Sequence, residues 1–443
     1  MLVPRSIVRA QTPGSARHRW FAELAALAPK LAGTLGTSGA SALFGIVSGT
    51  VAARVLGPSH RGELAQLLLW PQLVVTIGNL GIDVAAVYLS GDQKRHRDVP
   101  ATVLGVALAQ SLVLVPVYLV LVPIVFHGSG VTRDALLMTP LVPLYLVGAV
   151  SIDCLAGRLR FGAFNVVRIS LPITYCAGIA ALAATGQLSP LTGAMAYLVA
   201  HGCSDVLALL LVWRGSGLGR FDRALARSAL RFGLRAHVGR LSAQGLGVDM
   251  AIISLMLSSQ DLGLYSAATA FLAAPTLVAW SIGLVVFPHV SAKHQAGERP
   301  QLQATFALHA CVVIALAGLL FAFAGPIVTL LFGQGYAAAA PALRLLAIAS
   351  VAISIRSFPI EVLRGMGRPG LTSIAEAANW LLFLAAIPLG AAAGGLVGTA
   401  AAVAAASYAS LAVLVALMWR SGVFGSGQAA AATSSAGALE AAL

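Results

Sequence analysis

The chain is 443 residues long, 58% hydrophobic and only 10% charged, with a mean hydropathy of +0.89. Soluble globular domains carry about 25% charged residues, so this composition cannot build a solvated surface, and a soluble enzyme or binding module is excluded. The net charge of +13 sits in loops between apolar stretches, which points to membrane topology and lipid contact rather than nucleic acid.

Residues 1–30 carry Arg5, Arg9, Arg17, Arg19 and Lys30 against Glu23, with no apolar run of signal-peptide length after the first arginines. They are expected to form a cytoplasmic tail. A membrane span needs about 20 mostly apolar residues, and about twelve such segments follow. They are 31–53, 64–90, 99–126, 135–153, 165–185, 190–213, 236–257, 262–290, 302–324, 340–358, 372–392 and 396–419. The expected fold is an all-α integral membrane protein of about twelve transmembrane helices in two six-helix lobes around a central cavity. Residues 31–213 make the first lobe, 214–235 a basic cytoplasmic connector, and 236–419 the second lobe. The Ala-, Ser- and Gly-rich stretch 420–443 reads as a low-complexity cytoplasmic tail.

Starting from an inside N-terminus, the alternation leaves Arg54, Arg61, Arg133 and Arg344 outside and the other 24 of the 28 basic residues inside. Both termini are then cytoplasmic. The largest inside group is the stretch 214–240, with Arg214, Arg220, Arg223, Arg227, Arg231, Arg235 and Arg240 against Asp222. Spacing by four puts Arg223, Arg227, Arg231 and Arg235 on one helical arc, with Phe221, Leu225 and Phe232 opposite and Asp222 as the expected N-cap. Leu230 and Leu234 interrupt the pattern. Two readings fit: a helix lying apolar side down on the membrane with arginines toward anionic headgroups, or a plain loop obeying the positive-inside rule.

An internal repeat supports the two-lobe reading. Residues 155–161 (LAGRLRF) align with 363–369 (LRGMGRP), and Gly186 and Leu188 with Gly394 and Leu396. Residues 55–58 (VLGP) and Gly62 align with 256–259 (MLSS) and Gly263. The pairing relates the first span to the seventh and the fourth to the tenth, which implies parallel repeats about an axis along the membrane normal.

Charges inside spans are expensive and so mark candidate functional positions. Asp83 lies in the run Gly78–Val84, and Gln244 and Asp249 follow the glycines that begin at Gly239. Asp153, Asp205 and His289 lie in other spans, Arg356, Glu361 and Arg364 cluster near the inner end of the tenth, and Glu376 and Asn379 sit one turn apart on the eleventh. Glu361 with Arg364, and Asp153 with Arg158, have simple structural readings as local pairs or headgroup contacts, and His289 sits at the interface. Asp83 and Asp249 lie deeper, suited to a substrate contact, a proton or cation site, or a partner for an arginine. The first span interleaves Gly33, Gly36, Gly39, Gly45 and Gly49 with serines and threonines, a pattern used for close helix approach or for a helix that bends beside a cavity. Arg54 and Arg61 stand at its outer end, placed to receive a phosphate, although Arg61 with Glu63 is also an ordinary exposed pair.

Cys154, Cys176, Cys203 and Cys311 fall within spans without CxxC spacing, so neither a disulfide framework nor a metal site is expected. No DxD, GxSxG, P-loop or HExxH motif is present, so no catalytic residue and no cofactor is assigned. With no ATP-binding motif, any transport is expected to be secondary or driven by another chain, and no enzyme activity is expected.

The segments 52–64 (AARVLGPSHRGEL), 69–72 (LWPQ) and 78–83 (GNLGID) through Tyr88 resemble the oligosaccharide flippase, or polysaccharide biosynthesis, family of the multidrug/oligosaccharidyl-lipid/polysaccharide exporter superfamily. Residues 331–333 (LFG), 341–346 (PALRLL) and 365–369 (GMGRP) resemble its C-terminal half. The resemblance implies two six-helix bundles forming a V, spans 1, 2, 7 and 8 lining the cavity, and alternating access. It implies a polyprenyl-pyrophosphate-linked oligosaccharide moved to the outer leaflet of a bacterial cytoplasmic membrane for surface polysaccharide biosynthesis. Glycan polymerases or glycosyltransferases are the implied partners, besides membrane lipids; nucleic acid is not. Arginines facing the cavity typically meet the pyrophosphate in such flippases, yet spans 1, 2, 7 and 8 here hold none at mid-depth. The expected substrate contacts are therefore Arg54, Arg61, Asp83, Arg240, Gln244 and Asp249, with Arg356, Glu361 and Arg364 as inner-mouth contacts. A cation-coupled multidrug exporter of the same superfamily, with Asp83 or Asp249 as coupling carboxylate, is the alternative; a non-transporting scaffold or enzyme is disfavoured by the short outer loops and missing motifs.

Overall fold

The computed structural model describes residues 13–91, 97–127, 130–243, 247–295 and 302–421, and all regular structure among them is helical. Lys94, Arg95, Gln244, Arg299 and most of the two expected tails' charged and low-complexity ends (1–12 and 422–443) lie outside the described residues.

Helix α1 runs Pro13–Gly78 but reverses at Gly57, whose φ of 70° is left-handed backbone open to glycine. Pro58 follows and has no N–H to continue the ladder. The reversal is visible in one contact: Arg61 Nη1 donates to Gly49 O at 2.8 Å, across twelve residues that a straight helix would separate by about 18 Å. A second break follows at residues 79–81, with positive φ at Leu80 and Gly81, before α2 (Ile82–Ser90). The backbone groups this break frees are bonded locally. Gln110 donates to Asn79 O at 2.8 Å, His237 Nε2 lies 3.0 Å from Ile77 O, and Ile82 N donates to Asn79 Oδ1 at 3.0 Å.

The chain continues through α3 (Val99–Val125), α4 (Thr132–Leu137), α5 (Leu141–Gly157), α6 (Phe161–Ala184) and α7 (Pro190–Ser216). A Ser189/Thr192 capping box and Pro190 start α7. After the connector come α8 (Arg223–Ala243), α9 (Val248–Met256), α10 (Ser259–Thr269) and α11 (Ala273–Gln295). Then follow α12 (Gln303–Ala322), α13 (Ala324–Phe332), α14 (Ala340–Gly365) and α15 (Pro369–Arg420). Helix α15 also reverses, at Gly394 and Gly395: a Cβ added to Gly398 would lie 3.1 Å from Gly390 C, a meeting impossible in a straight helix.

Among the described residues, nine helices are long and apolar enough to cross a membrane. Two of them, Gly36–Gly78 at 43 residues and Gly370–Arg420 at 51, are twice the length of one span and fold back at the glycines just described. Together with α2, α8, α9 and α11, these helices fall on the same stretches as the expected segments. The protein is thus an all-α, multi-pass membrane protein.

Buried apolar residues form two large clusters. One draws on α1 to α8, from Ala52 to Ala229; the other draws on α9, α10 and α13 to α15 with Ala53 from α1. Adjacent residues of α1 therefore face opposite cores, and the first leg of α1 lies between them. Gly36, Gly39 and Gly45 of that leg have nothing within 4 Å of an added Cβ. Close helix packing is thus not what these three glycines provide.

The connector is built as a helix, with Asp222 Oδ1 accepting from Ala224 N at 2.7 Å and Leu225 N at 3.2 Å, the expected N-cap. Its apolar side, however, faces protein and not lipid. Leu225, Ala226 and Ala229 are buried, Phe232 stacks on Tyr88 with ring centroids 4.4 Å apart, and a Cβ on Gly233 would lie 2.8 Å from Gly81 O. Arg220 N donates to Asp98 Oδ1 at 2.8 Å and Ala101 N to Leu218 O at 2.9 Å, so the segment before α8 is stitched to the start of α3. Arg223, Arg227, Arg231 and Arg235 remain exposed on the other arc.

Candidate functional site

The second leg of α1 is the element that joins the two halves of the chain. Starting at Pro58, it runs antiparallel to α9: Gln66 Nε2 donates to Ser254 O at 3.2 Å, Trp70 Nε1 to Ser254 Oγ at 3.2 Å, and an added Cβ on Gly247 would lie 3.7 Å from Leu73 Cδ2. At its start it crosses α10 so closely that a Cβ on Gly62 would overlap Ser259 O and come within 2.6 Å of Ser259 C. A Cβ on Gly263 would overlap Pro58 O and lie 3.0 Å from Gly62 N. Gly62 and Gly263 are the glycines aligned by the internal repeat, and here they touch each other, so the halves are sealed together backbone to backbone at the end that holds residues 57–62.

Two arginines flank this crossing. Arg54 Nε donates to Leu331 O at 2.8 Å and its Nη2 to Leu330 O. Both carbonyls belong to the last turn of α13, where no intrahelical N–H remains and a cation meets the negative end of the dipole. Arg54 thus fastens the first half to the second. Arg61, half-buried, acts electrostatically on the phenols of Tyr175 in α6 and Tyr336 after α13, so it stands where the halves face one another. The exposed pair with Glu63 does not form; Arg61 donates to Gly49 O instead.

Asp83 and Asp249 occupy matching positions. Each lies in the first turn of a nine-residue helix, each is buried, and each accepts from the next backbone N–H: Val84 N at 2.7 Å and Met250 N at 2.9 Å. A carboxylate there satisfies the helix N-terminus. Asp249 Oδ2 additionally accepts from Tyr265 OH at 2.8 Å, tying α9 to α10 beside the crossing. Asp83 lies apart, on the short helix α2 that packs against α8. Arg240 belongs to α8, but its side chain and all of Gln244 are outside the described residues.

The three expected inner-mouth residues do not form one constellation. Arg356 is buried in α14 and pairs with Glu376 of α15 at 2.9 Å, with Nη2 donating to Ala375 O at 3.0 Å. Glu361 and Arg364 pair with each other at 2.9 Å, one turn apart on α14. Burial forces Arg356 onto the nearest carboxylate of a neighbouring helix, whereas the Glu361 pair is the local i,i+3 contact that spacing alone permits.

Arg168 is one of the 24 basic residues that the alternation of spans places inside. It lies inside the segment 165–185, about 10 Å into α6. It donates to Ser38 Oγ of α1 at 3.1 Å and stands 5.3 Å from the Phe164 ring centroid. It places a cation beside the serine- and glycine-rich first leg of α1. Gln66 and Trp70, which hold α9, had no sequence signal beyond their place in a span.

Helices broken at glycines and two cores joined along one hairpin define an all-α, multi-pass membrane protein. An inward-facing multidrug resistance MATE family transporter of the MOP superfamily superimposes with a TM-score of 0.72 at 13% identity, covering 88% of this chain and 96% of that one. The lipid II flippase MurJ in an inward closed conformation superimposes with a TM-score of 0.68 at 15% identity, covering 86% of each chain. The chain belongs to the polysaccharide biosynthesis protein family, whose pattern matches residues 31–294. It is 28% identical over 341 residues to the succinoglycan biosynthesis transport protein ExoT of Rhizobium meliloti (strain 1021). That match covers 72% of this chain but 65% of ExoT, so the chain spans just under two thirds of that curated relative.

Proposed function

We propose that this protein moves a polyprenyl-pyrophosphate-linked oligosaccharide across the bacterial cytoplasmic membrane by alternating access, as a transporter and not an enzyme. The observation that carries the reading is the Gly62–Gly263 crossing in a chain of the polysaccharide biosynthesis family. A seal made of backbone, with one arginine clasp beside it, separates without stranding buried side-chain charges. The relative named for succinoglycan biosynthesis transport supports a glycan cargo. In this reading Arg54, Arg61, Arg168 and Arg240 serve the pyrophosphate, because a fixed cation in a cleft of low dielectric binds phosphate strongly. The sugars cross between the halves while the prenyl tail stays in lipid. The sealed end faces outward, the connector and both termini face the cytoplasm, and a glycan polymerase or glycosyltransferase supplies or consumes the cargo.

The test is deletion of the gene and complementation with variants. Deletion is expected to remove surface glycan and to accumulate lipid-linked oligosaccharide on the inner leaflet. Arg168→Ala is expected to lower export roughly tenfold to a hundredfold at unchanged protein level, the loss of one charge-assisted hydrogen bond of about 1.5–3 kcal/mol. Intact surface glycan with altered drug tolerance would favour the cation-coupled multidrug exporter, which the MATE-like fold and the buried Asp249 support. Asp249→Asn separates the two readings further: it keeps an acceptor for Tyr265 and removes only the charge. A coupling carboxylate predicts loss of transport, and a helix-start acid predicts little change.

A further inference from the structure

The first half of the chain holds a polar cluster remote from the crossing. His201 and Asp205 stand four residues apart on one face of α7, with Nδ1 and Oδ2 3.7 Å apart and side chains only 15% and 7% exposed. That separation exceeds hydrogen-bond length. His201 Nδ1, Asp205 Oδ2 and Tyr145 OH are buried and make no hydrogen bond. Well over nine-tenths of buried polar groups in folded proteins are bonded, so three unbonded ones together call for an explanation.

The surroundings are shaped for this pair. Tyr145 of α5 meets the His201 ring edge-on at 4.7 Å, Tyr197 of α7 lies 5.2 Å from it, and Tyr175 of α6 packs 5.1 Å from Tyr197. Gly148 of α5 makes room for the carboxylate, since a Cβ there would overlap Asp205 Oδ1 and lie 2.9 Å from Asp205 Cγ. The titratable and charged groups facing the pair from the packed elements are Tyr118 on α3, Tyr145 on α5, Tyr175 on α6 and Tyr197 on α7, with Arg61 of α1 beyond Tyr175. Ser170 and Ser204, close by, bond to each other at 3.1 Å. Among the described residues no group of three His, Cys, Asp or Glu side chains could hold a metal ion.

We propose that His201 and Asp205 form a proton-binding site in the middle of the first half, loaded and emptied as the halves change their relation. With one proton the pair is neutral, which suits the membrane interior. With none it carries a single negative charge, on which the nearby Tyr145 hydroxyl acts electrostatically. Loading takes one proton from water, forms one N–H or O–H bond and breaks none in the protein. The coupling to transport, though not the proton binding, rests on the reading given under Proposed function.

The test uses the full chain in lipid nanodiscs. The Asp205→Asn/His201→Gln variant is expected to bind at least one proton fewer than the unaltered protein between about pH 5 and 8. Spin labels at Gln187 and Gln334, both exposed beside the crossing, are expected to report a pH-dependent distance change that this variant loses. Tyr145→Phe, which removes only the hydroxyl, is expected to raise the midpoint of that change, because the deprotonated state loses that electrostatic contact. An unaltered proton count, or a midpoint that stays put in Tyr145→Phe, overturns the proposal. Both readouts need no cargo. Loss of the proton with no glycan defect in the deletion strain would sink the proposed cargo alone, and the reverse result would sink this site alone.

Discussion

Replacing Gly62 by valine is expected to abolish export while the protein still inserts and accumulates. The added atoms meet the Ser259 carbonyl and the Gly263 backbone, neither of which can rotate aside as a side chain would. Overpacking of this kind costs about 1–3 kcal/mol when the structure can adjust. The simplest adjustment is separation of α1 from α10. Conformations of a transporter differ by only a few kcal/mol, so the penalty shifts the equilibrium by roughly tenfold to a hundredfold toward a state open at this end. The Gln187–Gln334 label distance should lengthen, and Gly263→Val should act alike, because the contact is reciprocal. Gly36→Ala and Gly45→Ala are the controls: open space surrounds both, and each is expected to change little. Unchanged distance and export in Gly62→Val would show that the crossing is not the seal.

The second large effect falls on stability. Arg356→Ala leaves Glu376 without its partner in a buried place, where breaking one side of an ion pair costs about 3–5 kcal/mol. The variant is expected to lose most of its folded yield and to unfold at a markedly lower temperature in detergent. Arg356→Met with Glu376→Leu should recover most of that loss, since replacing both partners by apolar groups removes the stranded charge. A substrate-contact role for Arg356 would show the opposite pattern: a stable single variant without export, and no rescue by the pair. Arg364→Ala should matter far less, at under about 1 kcal/mol, because its side chain is 40% exposed and water screens the Glu361 pair.

The composition alone determined that the chain enters a membrane, because 10% charge cannot cover a soluble surface. Apolar runs of span length located the helices, and the gap between the segments 31–53 and 64–90 is where α1 reverses, at Gly57. The repeat picked out Gly62 and Gly263, but only the packing of α1 on α10 shows that the two meet, since sequence alignment carries no distance. The same limit governed the charges. Asp222 was readable as an N-cap and Glu361 with Arg364 as a pair, because both depend on neighbours within one turn. Arg54 on the end of α13, Arg356 with Glu376, and Arg168 with Ser38 join residues distant in the chain. The connector shows why this matters. Its arginine arc follows from spacing, but whether its other face meets lipid or protein depends on what stands beside it. Only the tertiary structure supplied α2 and α3, whose surfaces bury Leu225, Ala226 and Ala229 and leave the arginines exposed.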